Sequence, residues 1–208
     1  MTIDDALQFL RDHQPMPPTE SASDDLVRRF DEVRKFFIAN PDERCVDLLL
    51  NSFGKGDAHG VYQLVEDAIL AFPDEVVVPA LAGSLRNPAG SVRYWSAQIA
   101  ANYPSQELAE PLIDLLKHGN LDERVAAVTA LELLGTQQVR AEMEKALSAN
   151  IEDEVKKVIR QALDSLDWQD QERQAIQAGI DAWRAGDVQD FAEFDAEFRA
   201  KNGISTDA

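Results

Sequence analysis

The groups in this chain that could do chemistry are three histidines, one cysteine and an abundance of carboxylates. The histidines are His13, His59 and His118, followed by Gln14, Gly60 and Gly119. None belongs to a His-x-x-x-His or Cys–His spacing, so no zinc site is expected. Cys45 lies in the run Cys45-Val46-Asp47-Leu48-Leu49-Leu50. That setting predicts a buried, inert thiol rather than a nucleophile. A single cysteine also leaves nothing for an intrachain disulfide. Carboxylate pairs such as Glu110 with Asp114 could serve general acid–base work. At this acid content they read as solvated helix faces, because a general acid needs a pocket that shifts its pKa. Gly54-Lys55-Gly56 is too short for a phosphate loop and reads as a helix stop. No Gly-x-Ser-x-Gly elbow occurs in the sequence. The expectation is a non-enzyme with no catalytic residues, no metal and no cofactor.

The charge balance narrows the partners. Thirty-eight acidic and 20 basic residues leave a formal net charge of −18 over 208 residues. Such a surface repels nucleic acid phosphate and anionic membranes. It suits a basic protein partner, and equally a plain solvated helical surface. The chain opens on no charged-then-apolar signal segment, and no apolar run approaches membrane-spanning length. The expected setting is therefore soluble and cytoplasmic, with no nucleic acid and no membrane partner.

The elements behind these residues repeat about every 31 residues. Counting from Val92, offsets three, four, seven, eight and eleven give Trp95, Ser96, Ile99, Ala100 and Tyr103. The same offsets from Val61 give Leu64, Val65, Ala68, Ile69 and Phe72. From Glu123 they give Ala126, Ala127, Ala130, Leu131 and Leu134. From Val155 they give Val158, Ile159, Ala162, Leu163 and Leu166. Apolar residues three and four apart line one helix face. A partner helix recurs in step, with Leu50, Leu81, Leu112 and Met143 each 31 apart. Each unit is then two antiparallel helices. A weaker first copy follows Ser23, where Phe30, Val33, Phe37 and Ile38 fit and Arg34 does not. Thr2 caps a helix before it, and Pro15, Pro17 and Pro18 make a loop between the two. Pro41 opens a helix through Phe53, and Asp57 caps the Val61 helix. No segment alternates apolar and polar residues, so essentially no sheet is expected.

These residues resemble the HEAT-like repeat family, in its short bacterial form related to phycobilin lyases. Val92-Arg93, Val155-Lys156, Ala130-Leu131 and Ala162-Leu163 carry its first helix, and Pro79 and Pro111 its second. Trp95 and Glu123 depart from the pattern. The resemblance covers about residues 30–166. It implies an all-α solenoid of about four helix pairs and a generic binding surface. Iron-binding HEAT hydroxylases carry repeated His-Glu pairs that are absent here. HEAT-like DNA glycosylases use a basic face, opposite to this charge. A lyase-type or accessory enzyme stays as an alternative. Arg93, Arg124 and Lys156 share one repeat position, which predicts a charge ladder to acidic turn residues such as Asp122 or Asp153. Trp95 falls on the apolar face, whereas Tyr94 falls outside it and is a candidate contact residue.

After Asp167 the period stops. Gln169 to Ala185 reads as one helix with Ile176, Ile180 and Trp183 on a face, and Gly186-Asp187 as a break. Phe191, Phe194 and Phe198 mark a second helix, ending near Asn202-Gly203. The three expected parts are a capping helix and Pro-rich loop (1–22), repeats (23–167) and an acidic aromatic hairpin (168–208). The hairpin can cap the last repeat or dock a partner. Ala175-Ile176-Gln177-Ala178-Gly179-Ile180, Ala185-Gly186-Asp187-Val188 and Asp190-Phe191-Ala192-Glu193-Phe194 are similar to the C-terminal arm of ParD-type antitoxins. That resemblance implies a small basic toxin of the ParE/RelE fold as partner, neutralised by covering its working surface. The expected contact residues are Trp183, Asp187, Asp190, Phe191, Glu193, Phe194, Glu197 and Phe198, with Tyr94 in the repeats. The alternative is a scaffold or assembly factor that binds through the concave face of its repeats.

Overall fold

The computed structural model describes residues 1–187 and 190–202, without the side chains of Phe191, Ala192, Phe198 and Asn202. Among the described residues every regular element is a helix. In order they are α1 (Ile3–Asp12), α2 (Asp24–Ala39), α3 (Arg44–Leu50), α4 (Val65–Ile69), α5 (Asp74–Ser84) and α6 (Gly90–Ala100). Then follow α7 (Ala109–His118), α8 (Leu121–Leu134), α9 (Gln137–Leu147), α10 (Asp153–Ala185) and α11 (Phe191–Asn202). Short 3₁₀ turns at Tyr62–Leu64 and Gln106–Leu108 precede α4 and α7. The chain divides into two compact units, Met1–Asp164 and Ser165–Ala208.

The helix ends follow local chemistry. Thr2 and Asp5 form a capping box at α1, and Asn120 and Glu123 form another at α8. Ser23 caps α2 and Thr136 caps α9, each accepting a backbone N–H of the first turn. Gly135 closes α8 in the left-handed region at φ 55°.

The first unit stacks its helices in two rows. One row runs α1, α3, α5, α7, α9, with α5 packed on the 3₁₀ turn at Gln106–Leu108 that leads into α7, and the other pairs α2 with α4 and α6 with α8. The rows meet through α1 on α2, α5 on α6, and α8 on both α7 and α9. Leu50, Leu81, Leu112 and Met143 are all buried, as are Ala68, Ile99, Ala130 and Ala162 at offset seven. Residues one period apart therefore sit in equivalent places in one continuous core. That is the demand of a stacked repeat, whose single units cannot bury their apolar face alone. The fold is an all-α, solenoid-like stack. Helices α1 and α2 occupy the same two rows as the later pairs.

Several expectations along the repeats are corrected. The helix expected from Pro41 through Phe53 runs only from Arg44 to Leu50, and Phe53 is buried from the loop beyond it. The Val61 copy is reduced to a 3₁₀ turn and five α-helical residues. Leu64, expected on its buried face, is 44% exposed, and Tyr62 is buried instead. The cause is the Asn51–Val61 connection, where Gly56, Ala58, His59 and Gly60 all take positive φ. Asp57 caps a turn there, its carboxylate accepting the His59 N–H at 3.0 Å, rather than a helix. Ile38 is also exposed, because α2 begins its row and has a row neighbour on one side only. Arg34, the misfit of the first copy, is buried. Its guanidinium donates to Asp31 at 2.7 Å and to the Leu64 carbonyl at 3.1 Å.

Two of the three expected rungs of the charge ladder, Arg93 and Arg124, are present, with different partners. Arg93 pairs with Glu123 at 2.8 Å and Arg124 with Glu152 at 2.7 Å, whereas Asp122 and Asp153 were the expected acids. Glu123 and Glu152 each sit one residue from the expected acid, at the turn into the following helix. Lys156 is half-buried.

Helix α10 is continuous through Asp167, where the sequence pattern suggested a new start. No proline lies between Asp153 and Ala185, so nothing in the backbone stops the helix when its apolar period ends. Gly186 at φ 75° ends it, as the sequence implied.

Candidate interaction surfaces

The loop that breaks the second repeat builds a cleft in the first unit. The Pro-rich segment after α1 lies along it, with the Met16 N–H donating to the Ser52 carbonyl at 2.9 Å and the Thr19 N–H to Lys55 at 2.8 Å. The Thr19 hydroxyl accepts the Ala58 N–H at 2.9 Å. A side chain on Gly54 would put its Cβ 2.3 Å from the Met16 carbonyl oxygen, so only glycine admits this approach. The Gly54 N–H donates to the Tyr62 hydroxyl at 2.9 Å. Burial raises the Tyr62 phenol above its ordinary pKa, outweighing that hydrogen bond.

Aromatic rings back the loop. Trp95 stacks on Phe53 at 5.8 Å, and its indole N–H donates to the Gly56 carbonyl at 3.1 Å. Tyr62 meets both rings edge-on. Trp95 is thus in the core, as its offset predicts. Tyr94 is half-buried with its ring edge-on to Trp95 at 5.2 Å. It lines a cleft of about 700 Å³ whose rim includes Glu20, Lys55, Asp57, His59, Asn120 and Asp122. A neighbouring cleft of about 270 Å³ shares Gln63, Tyr94 and Trp95 and adds Glu66 and Gln98. Of these residues, sequence reasoning singled out Tyr94 as a contact and missed the rest. The available signal was the glycine-dense segment Gly54–Gly60, which interrupts the repeat.

The remaining expected contact residues lie in the second unit. Trp183 is 70% exposed, and Asp187, Asp190, Glu193, Phe194 and Glu197 are exposed too. The side chains of Phe191 and Phe198, and the expected helix stop at Gly203, lie outside the described residues. Along α10, Trp168, Ile176, Ile180 and Trp183 fall on one side of the helix and are all exposed. The stripe spans roughly 22 Å at 1.5 Å per residue. From Gln171 to Asp187 every residue is exposed except Ala182, which is half-buried. Trp168, Ile176 and Ile180 extend the expected contact set by the spacing that marked the helix. Asp195 pairs with Arg199 at 2.7 Å, and Asp170 pairs with Arg173.

Among the described residues no group of three His, Cys, Asp or Glu side chains could hold a metal ion. His118 pairs with Asp114 at 2.9 Å, and His13 stacks on Phe9. Burial pushes the Cys45 thiol up to about 12. None of the described helices is long and apolar enough to cross a membrane.

Stacked two-helix units with a 31-residue period and a shared core are the geometry of a helical repeat protein. Residues 77–164 match the family model of HEAT repeats. The match runs from α5 into α10 and supports a HEAT-like repeat protein. No curated protein matches the chain. Repeats of this type present broad side-chain surfaces suited to protein–protein contact.

Proposed function

We propose that this protein is a non-catalytic binding scaffold that holds a basic protein partner, with its C-terminal helices as the docking element. The observation that carries the reading is the stripe of Trp168, Ile176, Ile180 and Trp183, large apolar side chains held 38–70% exposed. A monomeric helix that exposes such a stripe gains by covering it, each full aliphatic burial being worth roughly 1.5–3 kcal/mol. The charge around it selects the partner. From Ser165 onward the chain carries ten acidic and four basic side chains. That balance repels a second acidic copy and attracts Lys- and Arg-rich surfaces. Asp187, Asp190, Glu193 and Glu197 supply the steering, and Trp183 and Phe194 the apolar anchors. A small basic toxin is the narrowest form of this reading and rests on the antitoxin-arm resemblance. A cytoplasmic setting belongs to the same proposal.

Affinity capture tests it with full-length protein, a Trp183→Ser variant and an Asp187→Asn/Glu193→Gln variant. The expected result is a basic protein held by the full-length chain and released by Trp183→Ser. The charge variant should weaken capture most at low salt. A partner held equally by all three forms would remove the tail from the interface.

A further inference from the structure

The Tyr94 cleft has a charge pattern of its own, independent of the C-terminal helices. Glu20, Asp57 and Asp122 surround it. Among the described residues none of these three carboxylates is within ion-pair distance of a Lys or Arg, although acids elsewhere in the same unit are paired. Asp31 pairs with Arg34 and Lys35, Asp42 with Arg44, and Glu142 with Lys117 and Lys145. The cleft's own cation is Lys55, so its rim is acidic by a clear margin.

The features that could invert this reading are already spoken for. The α6 N-terminus opens at Gly90 and has no side-chain cap, and would favour an anion. The Glu123 carboxylate already lies against it, 2.6 Å from where a Gly90 Cβ would be. Asn120 and Glu123 likewise satisfy the α8 N-terminus. The wall opposite is fixed, since Thr19 and the Trp95 indole hold the Gly54–Ala58 loop by direct hydrogen bonds. Beside these acids stands the half-buried Tyr94 ring, whose π face attracts cations.

We infer that this cleft is a receptor for a cationic peptide side chain, an arginine or lysine presented by a protein partner, seated over Tyr94 and paired with Asp57, Asp122 or Glu20. An arginine suits it best, because its flat guanidinium stacks on an aromatic ring while its N–H groups reach carboxylates at the edge. The aliphatic stem would lie along the neighbouring cleft between Gln63 and Gln98.

The test is a titration of the full chain with acetyl-Ala-Arg-Ala-amide, followed through the Trp95 indole N–H and Tyr94 ring signals in NMR spectra. The glutamine analogue and inorganic phosphate serve as controls. The expected result is a saturable shift at Trp95 and Tyr94 with the arginine peptide, and none with either control. Tyr94→Leu should weaken binding roughly five-fold. Glu20→Gln/Asp122→Asn, which alters exposed groups alone, should weaken it comparably and keep the native melting temperature. Non-saturating shifts spread over the acidic surface would overturn the inference. So would wild-type affinity in both variants, or a phosphate-induced shift at Ser91 and Asn120. Because the probe is a tripeptide and the signals are in α6, the outcome does not depend on whether the C-terminal helices dock a partner.

Discussion

Removing the Glu123 carboxylate should destabilise the repeat stack far more than a surface charge would. Glu123 is 1% exposed. Its Oε2 accepts the Asn120 N–H at 2.8 Å, and its Oε1 accepts from Arg93 Nη2 at 2.8 Å. Two glycines make room for it, since a Cβ on Gly90 or Gly119 would meet Glu123 at 2.6 and 2.9 Å. Glu123→Ala therefore removes a capping bond worth about 1 kcal/mol and a charge-assisted bond worth roughly 1.5–3 kcal/mol. Breaking a buried pair costs about 3–5 kcal/mol when the surviving charge is stranded. Arg93 is not stranded, because it is 27% exposed and also donates to the Asn87 and Pro88 carbonyls. The lower end applies, about 3 kcal/mol. For a chain of this length that is a fall of roughly 6–12 °C in melting temperature, measurable by circular dichroism. Glu123→Gln keeps one acceptor oxygen and sets an NH2 group against the other donor, so its loss should fall between wild type and Glu123→Ala. A Glu123→Ala protein melting within about 2 °C of wild type would refute the account of the ladder as a buried, inter-repeat tie.

Two further outcomes follow from the same packing. Gly54→Ala should loosen the loop from the Pro-rich segment, because the new Cβ would lie 2.3 and 2.7 Å from the Met16 and Pro17 carbonyl oxygens. Amide hydrogen exchange at Met16 and Thr19 should accelerate, and unchanged protection there would contradict the close approach. Cys45, with its thiol pushed up to about 12 by burial, should resist a disulfide reagent in the native protein at pH 8 and react after denaturation. Rapid native labelling would mean that α3 opens readily.

The repeat was legible because burial enforces it. Leu50, Leu81, Leu112 and Met143 must be apolar at one spacing, since each fills the same place between stacked pairs. The same reasoning made the Trp95 core position readable, and glycine's ease in the left-handed region made the Gly186 stop readable. Periodicity carries no such information about irregular backbone. The Asn51–Val61 connection left two helices shorter than their pattern, turned Leu64 outward and buried Tyr62. The cleft could not be read in advance, because its wall depends on Thr19 meeting Lys55 and Ala58 across more than thirty residues of chain.

The sequence by itself determined an acidic, all-helical repeat stack and an aromatic C-terminal segment, because composition and apolar spacing act through local backbone geometry and solvation. Tertiary structure decided the rest. It chose Glu123 and Glu152 over their acidic neighbours as ladder partners, since only side chains that reach the adjacent helix pair can close the bond. It ran α10 through Asp167, since a helix needs a steric stop rather than the end of a pattern. It also gathered Glu20, Asp57, Tyr94 and Asp122 around one cleft. Those residues come from four separate stretches of chain and none lies a 31-residue period from another, so only the folded packing could bring them together.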